Sequence, residues 1–261
     1  MSSETFLDDK RLKKLDRELQ ALISLTGSDR KTQDEVFDKT TLLTLEKFIS
    51  NGIIDILDFP ISTGKEGNVF RGVTPDKKFV AVKIYRTNTS TFKHISQYIV
   101  GDPRFLSFHN TRRGLVFAWT KKEFKNLERA NRIRIMAPKP IISMKNVLVM
   151  EYIGTEASPA PLLKDTEIDN PEEIFEVLIN SISDLYKKAK LVHADFSAYN
   201  VLMHEKKPYI IDFGQGVLLD HPNSDEFLKR DINNIVFYFK KYKLRYNSNE
   251  IYLKIIDKNK K

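Results

Sequence analysis

Cysteine is missing from all 261 residues. The chain can therefore form neither a disulfide nor a thiolate metal site, and packing alone must supply its stability. No window approaches the ~18 uncharged apolar residues that a membrane span needs. The N-terminal stretch MSSETFLDDKRLKKLDREL has no apolar signal-peptide core either. These gaps predict a protein of the reducing cytoplasm with no membrane partner. Internal repeats and long low-complexity linkers are lacking too. What is present, 41% apolar and 30% charged residues, is an ordinary globular composition. Its length suffices for one large domain or two modest lobes.

Charge is unbalanced, at net +8. Positions 240–261 carry eight Lys or Arg against two acids, and positions 121–139 carry seven against two. Such runs attract phosphate backbones or acidic partners, or simply solvate one helix face. The C-terminal run is the better candidate for nucleic-acid contact.

Leu12, Leu15, Leu19, Leu22 and Ile23 recur at helical spacing, and a second helix is expected over 33–50, ended by Asn51-Gly52. The pattern then turns to short strands, at 53–57, 68–73 and 79–85, with a Gly-containing loop and a tight turn between them. Residues 87–114 read as a long surface loop or partly helical insert. A helix is expected over 117–134, a hairpin over 140–150 and a helix over 171–190 with Asn170 as N-cap. Two short strands around Val201 and Ile210 and a helix over 224–241 follow. The economical architecture is α+β: an N-terminal helical extension (1–52), a β-rich lobe (53–153), an α-rich lobe (154–243) and a basic tail (244–261).

The most informative stretch is His193-Ala-Asp195-Phe-Ser-Ala-Tyr-Asn200, followed twelve residues later by Asp212-Phe-Gly214. It sets an Asp, an Asn five positions on, and a second Asp beyond two apolar segments. Phosphoryl transfer needs that trio: one carboxylate positions the attacking hydroxyl, while an amide oxygen and a second carboxylate hold metal ions. Asp195 is thus the candidate base, with Asn200 and Asp212 as hard oxygen ligands suited to Mg²⁺. His193 reads as structural.

The nucleotide half rests on weaker signals. Val80-Ala-Val-Lys83 puts a lysine on a strand, where its ammonium needs anions such as nucleotide phosphates and a helix carboxylate. Glu123 is preferred to Glu128 for that carboxylate, because Phe124 and Leu127 pack beside it. Ser62-Thr-Gly64-Lys65-Glu-Gly67 lies between strands and could touch phosphates. It is neither a Walker A loop nor a full G-x-G-x-x-G, and a plain β-turn explains it equally. Met150-Glu151-Tyr-Ile153-Gly154 follows a strand at the expected crossing between lobes. There the Glu151 carbonyl and Ile153 amide are placed to pair with adenine.

Assembled, these residues resemble the RIO family of atypical protein kinases, its type-one branch in particular. The matching segments are 62–69, Val82-Lys83-Ile-Tyr-Arg86, Gly101-Asp-Pro-Arg-Phe105, 119–128, 193–200 and Ile211-Asp-Phe-Gly-Gln215. The resemblance implies a trimmed bilobal kinase fold with extra N-terminal helices, and ATP with Mg²⁺ or Mn²⁺ as cofactors. It further implies serine autophosphorylation and a role in late maturation of the small ribosomal subunit, with rRNA contact through the basic runs. Asp195 would be catalytic, Asn200 and Asp212 the metal ligands, and Asp212 a candidate aspartyl-phosphate acceptor, so ATPase turnover joins kinase activity. Past Gly216 the chain runs straight to its next helix with no activation segment or A-P-E motif, which disfavours ordinary peptide docking. Gly67 stands where the family commonly carries Ala, and a looser loop is expected there. The small size, the missing cysteine and the Lys/Ile-rich tail suit an archaeon.

Two other readings use the same residues. A small-molecule kinase of the aminoglycoside or choline type shares the H-x-D-x-x-x-x-N spacing, but usually carries a larger helical insertion than the ~40 residues between Glu151 and His193. A non-catalytic nucleotide-binding scaffold has no chemical need for Lys83, Asp195, Asn200 and Asp212 together.

Overall fold

The computed structural model describes residues 38–64, 66–87 and 111–257, with residues 13, 15, 17, 98, 99, 102 and 104 besides. Lys65, most of the expected helix at 12–23 and most of the 87–114 segment lie outside the described residues. By contacts the chain divides into two units: 1–92, 109–121 and 141–152 form the first, 93–108, 122–140 and 153–261 the second.

In the first unit a helix packs on a sheet. Helix α1 (Lys39–Ser50) starts at Asp38, whose carboxylate accepts from the Thr41 amide at 2.8 Å. It ends at Asn51, with Gly52 at φ +67°. Strands β1 (Ile56–Thr63), β2 (Gly67–Val73), β3 (Phe79–Tyr85), β4 (Pro140–Met144) and β5 (Val147–Glu151) make a sheet of order β1-β2-β3-β5-β4. The first strand begins three residues later than the sequence suggests. The amides of Ile53 and Ile54 both bond to the Phe48 carbonyl, closing the helix end instead of joining the ladder.

Alternate residues of β3 and β5, namely Val80, Val82, Ile84, Val147 and Val149, bury against Leu45 and Phe48 of α1. Each such side chain contributes roughly 1.5–3 kcal/mol by leaving water. The buried Asn146, in the β4–β5 turn, donates to Thr41 Oγ1 at 2.8 Å and to the Tyr85 carbonyl at 2.9 Å. The hairpin is thereby pinned to both helix and sheet.

Helix α2 (Arg112–Arg132) passes from the first unit into the second at 121/122. It begins five residues before the expected start, where Thr111 Oγ1 accepts from the Gly114 amide at 3.1 Å. In the second unit, α3 (Pro171–Lys187) has the predicted Asn170 cap and packs near α4 (Ser224–Phe239). Two short antiparallel pairs lie between them: β6 (Leu191–Val192) with β9 (Val217–Leu218), and β7 (Val201–His204) with β8 (Lys207–Ile210).

Two expectations need correction. Residues 244–261, read as a basic tail, contain helix α5 (Ser248–Ile256), capped by Asn247 and packed on α3 and α4. Ile255 is buried there, and Tyr246 stacks on Phe175 at 4.2 Å between centroids. The lysines around it hid its apolar face. Likewise 122–140 and 93–108, assigned to the β-rich lobe, group with the second unit: Arg104 bonds Asn126, and Asn126 and Lys122 bond to residues 213–216.

Candidate active site

The segment from His193 to Asn200 leaves β6 and turns at once, with Ala194 at φ 65°. Its shape is fixed from beneath by α4. Asp231, 1% exposed, accepts from the Ala194 amide at 2.8 Å and the Phe196 amide at 2.9 Å. Arg230 donates to the Ala194 carbonyl, and Asn234 Nδ2 donates to the Phe196 carbonyl at 3.2 Å. Four backbone groups around Asp195 are thus satisfied by three side chains of one helix. Burial pushes the Asp231 carboxyl up to about 7, against the two amides that favour its charge.

Asp195 sits at the top of this turn. Asn200 Nδ2 donates to its carbonyl at 2.8 Å and to its Oδ2 at 2.9 Å, and Gln215 Nε2 reaches the same Oδ2 at 3.2 Å. Burial first, and the neighbouring Asp212 charge second, raise its carboxyl to about 6, against the lowering effect of the Asn200 amide. A base poised near neutral pH is what proton acceptance from a hydroxyl requires. His193 is structural, as read: Nε2 lies 3.0 Å from the Ile211 carbonyl, and the ring meets Phe196 and Phe213 edge-on.

Asp212 ends the β8 segment in the left-handed region, at φ 61° and ψ 64°, a conformation costing a non-glycine residue on the order of 1 kcal/mol or more. A 3-10 turn, Phe213–Gln215, follows. Its inward carbonyls are met from α2: Lys122 Nζ donates to Gly214 and Gly216, and Asn126 Nδ2 donates to Phe213 and Gly216. Lys122 belongs to the basic run at 121–139, for which a solvated face or a phosphate patch is expected; it is instead fully buried, and burial holds its ammonium well below the usual range.

The second unit therefore brings Asp195, Asn200 and Asp212 together. Glu123 and Ile153 also belong to it, and both are buried. Glu128 instead pairs with Lys125 at 2.8 Å on the exposed side of α2. The commitment of the Asn200 amino group to Asp195 leaves the carbonyl oxygen as its acceptor atom. With the Asp212 carboxylate it makes a sparse hard-oxygen set, and no cluster of three or more His, Cys, Asp or Glu exists among the described residues. Two protein ligands suit Mg²⁺ arriving with nucleotide phosphates rather than an all-protein cage.

The first unit carries Lys83, Ser62, Gly64 and Glu151. Lys83 pairs in register with Val69 on β2 and Leu148 on β5, on the sheet face opposite the α1 core. Its Nζ lies 5.0 Å from the Tyr85 ring centroid. Val69, Ala81, Leu148 and Met150 share that face, an apolar floor beside Lys83, with Arg71 farther along β2 on the same side. Ser62 and Gly64 are exposed, and the Gly64 amide donates to the Gly67 carbonyl at 2.9 Å, tying the end of β1 to the start of β2. Gly67 is not a loosening element. A Cβ there would lie 2.3 Å from the Ile84 carbonyl oxygen, so glycine lets β2 approach β3.

Sequence reasoning missed Asp231, Gln215, Lys122 and Asn126. Only Asp231 carried a signal, as an acid inside the predicted final helix between Leu228 and Ile232 on its apolar side.

Residues 68–251 match the family model described as RIO domain. A RIO-type serine/threonine-protein kinase Rio1 from Haloferax volcanii is 43% identical over 211 residues, 81% of this chain and 72% of that one. Its counterpart from Methanocaldococcus jannaschii is 40% identical over 256 residues, 97% and 88% of the two chains. Among solved structures, the Rio2 kinase from Chaetomium thermophilum aligns with TM-score 0.65 at 18% identity, covering 97% of this chain and 90% of that one. A second structure of that kinase, an ADP/Mg²⁺-phosphoaspartate complex, aligns with TM-score 0.63 at 20% identity, covering 84% and 66%. These two establish the kinase-like fold.

Proposed function

This chain belongs to the RIO family of atypical serine/threonine protein kinases, and we propose that it transfers the γ-phosphoryl group of ATP with Asp195 as base and with Asn200 and Asp212 as metal ligands. The carrying observation is the placement of Asp195, fixed by the Asn200 amide at 2.9 Å and close enough to Asp212 to feel its charge. Transfer breaks the bond between the γ-phosphorus and the β–γ bridging oxygen, releasing ADP. A new bond forms to an acceptor oxygen. If the acceptor is a serine hydroxyl, its proton passes to Asp195. A divalent ion held by Asn200 and Asp212 supplies charge neutralisation on the phosphates. Lys83 and its apolar sheet face suit the phosphates and adenine, with the Glu151 carbonyl as an adenine partner.

Asp212 is also the proposed phosphoryl acceptor in an ATPase cycle. Its carboxylate oxygen takes the phosphoryl group, and water later releases phosphate. The related Rio2 kinase has been solved as a phosphoaspartate complex with ADP and Mg²⁺, which motivates the idea here. The last turn residue, Gly216, is separated from α4 by only seven residues, 217–223, so no segment is present to dock a peptide in the ordinary way. A large partner fits better. Lys240, Lys241, Lys243 and Arg245 are exposed, and the proposal assigns them to rRNA of a small-subunit precursor in the cytoplasm. No described helix is long and apolar enough to cross a membrane.

The test is a phosphate-trapping assay with labelled ATP and Mg²⁺. Hydroxylamine-sensitive label on the protein is expected during turnover, alongside acid-stable phosphoserine. Asp212→Ala should abolish turnover, by at least about 10³-fold, while leaving the melting temperature near that of the parent. Full activity in that variant would sink the assignment.

A further inference from the structure

The turn that follows Asp212 is held by more than α2. Asn126 spans two sides: its Nδ2 donates to the Phe213 and Gly216 carbonyls, both at 2.8 Å, and its Oδ1 accepts from Arg104 Nη1 at 2.8 Å. Arg104 is in turn clamped by Asp102, with Nε to Oδ1 at 2.9 Å and Nη2 to Oδ2 at 2.6 Å. The Arg104 amide also bonds Asp102 Oδ1, at 3.0 Å. Asp102 is 1% exposed and Asn126 fully buried, so neither has water as a substitute partner.

A primary amide can rotate by half a turn and exchange its oxygen for its nitrogen. What forbids that rotation here is Arg104, which is a donor and can never accept. If Asn126 flipped, its amino group would face the guanidinium, and its oxygen would face two buried carbonyls. Gly216 shows how close the fit is: a Cβ at that position would come within 2.8 Å of Asn126 Nδ2. The turn thus held begins at Asp212, whose left-handed backbone persists only if its surroundings fix it.

We propose that Asp102 and Arg104, two residues of the Gly101-Asp-Pro-Arg-Phe105 segment, are positioning residues for the metal-binding turn, acting through Asn126 to set the geometry of Asp212. The Asp102–Arg104 pair is a latch, and the affinity of the site for a divalent ion depends on its bond to Asn126. The inference rests on Asp212 being a metal ligand, and the experiment separates the two ideas.

Arg104→Ala and Arg104→Lys are made in the full chain, with Asp212→Asn as control. Amide hydrogen exchange over 213–218 is followed without nucleotide or metal, and Mn²⁺ binding is measured by electron paramagnetic resonance in the presence of ADP. Arg104→Ala should exchange at least about tenfold faster in that segment and bind Mn²⁺ about 10- to 100-fold more weakly. Arg104→Lys, which keeps one donor, should fall between. Millimolar guanidinium should restore Mn²⁺ binding to the alanine variant, an outcome that general destabilisation would not give. Parental exchange in Arg104→Ala overturns the latch. So does parental Mn²⁺ affinity when Asp212→Asn has lost it. If Asp212→Asn also binds Mn²⁺ normally, the assignment of Asp212 as ligand is what fails, while accelerated exchange still supports the latch.

Discussion

Lys83 and Asp195 are both given a part in the proposed phosphoryl transfer, and the fold holds them by different means. Lys83 stands on a regular ladder, its position set by backbone pairing of β3 with β2 and β5. Its neighbours could change while the ladder stayed in register. Asp195 stands on an irregular turn with Ala194 at positive φ, and no ladder reaches it. Its place depends on side chains from distant parts of the chain: Asp231, Arg230 and Asn234 below, Asn200 and Gln215 beside it. Irregular backbone exposes its polar groups, and when it is buried those groups must be met one by one. The second region should therefore be brittle and the first forgiving, except where the ladder itself is touched.

Brittleness is tested most severely at Asp231. Asn in its place offers one acceptor oxygen where the Ala194 and Phe196 amides need two. One buried N–H is left unmet, at a cost of about 1–3 kcal/mol. The expected result is a clear fall in melting temperature. A fall in turnover of about 10²-fold should accompany it at temperatures where the variant is fully folded, because the turn carrying Asp195 shifts. Parental turnover in a folded Asp231→Asn protein would show that the turn holds itself.

The first region has one point where the ladder is that sensitive. Gly67→Ala puts a methyl group 2.3 Å from the Ile84 carbonyl oxygen and 3.0 Å from the Tyr85 Cα, so β2 must move off β3. Overpacking of this kind costs roughly 1–3 kcal/mol. The apparent KM for ATP should rise several-fold as the strand bearing Lys83 shifts, with kcat little changed. A parental melting curve would mean that the strands part without cost.

This contrast also explains what could be read before the structure was known. Lys83, the β4–β5 hairpin and α3 with its Asn170 cap follow from period and turn chemistry, which are local. Asp195, Asn200 and Asp212 were legible because their spacing within 193–214 is itself local. Asp231 lies 35 and 37 residues from the amides it holds, and Lys122 lies over 90 from Gly214 and Gly216. Nothing in a charge count separates a buried lysine that caps carbonyls from the six other cations of its run. Helix α5 was missed for a related reason: the cations on either side of it dominate the charge count of 240–261 and mask five apolar residues among its nine.

Asp195 provides a test with a sign. Its folded carboxyl titrates near 6, above the 3.8 of an unperturbed aspartate. The folded state therefore binds its proton more tightly than the unfolded one. Stability from that proton is complete below about pH 4 and is lost as pH rises through about 6. Asparagine carries no such charge. Metal-free Asp195→Asn should match the parent at pH 4 and exceed it above pH 6 by about 1–2 kcal/mol, after discounting for partial exposure. Adding Asp212→Asn to the parent removes the neighbouring charge, so the carboxyl resonance of Asp195 should titrate at lower pH. An unmoved titration would show that burial alone sets it.

The smallest effect should come from Ser62→Ala. Ser62 is exposed and pairs through its backbone with Val69, so losing the hydroxyl leaves the ladder intact. If its oxygen touched a phosphate through water-exposed geometry, the gain would be no more than about 0.5–1 kcal/mol, a two- to five-fold change in the KM for ATP. A larger rise would mean that the 62–67 turn closes over bound nucleotide and excludes water there. The forgiving region would then share the second region's reliance on individual side chains once substrate is present, and the contrast between the two would belong to the empty protein alone.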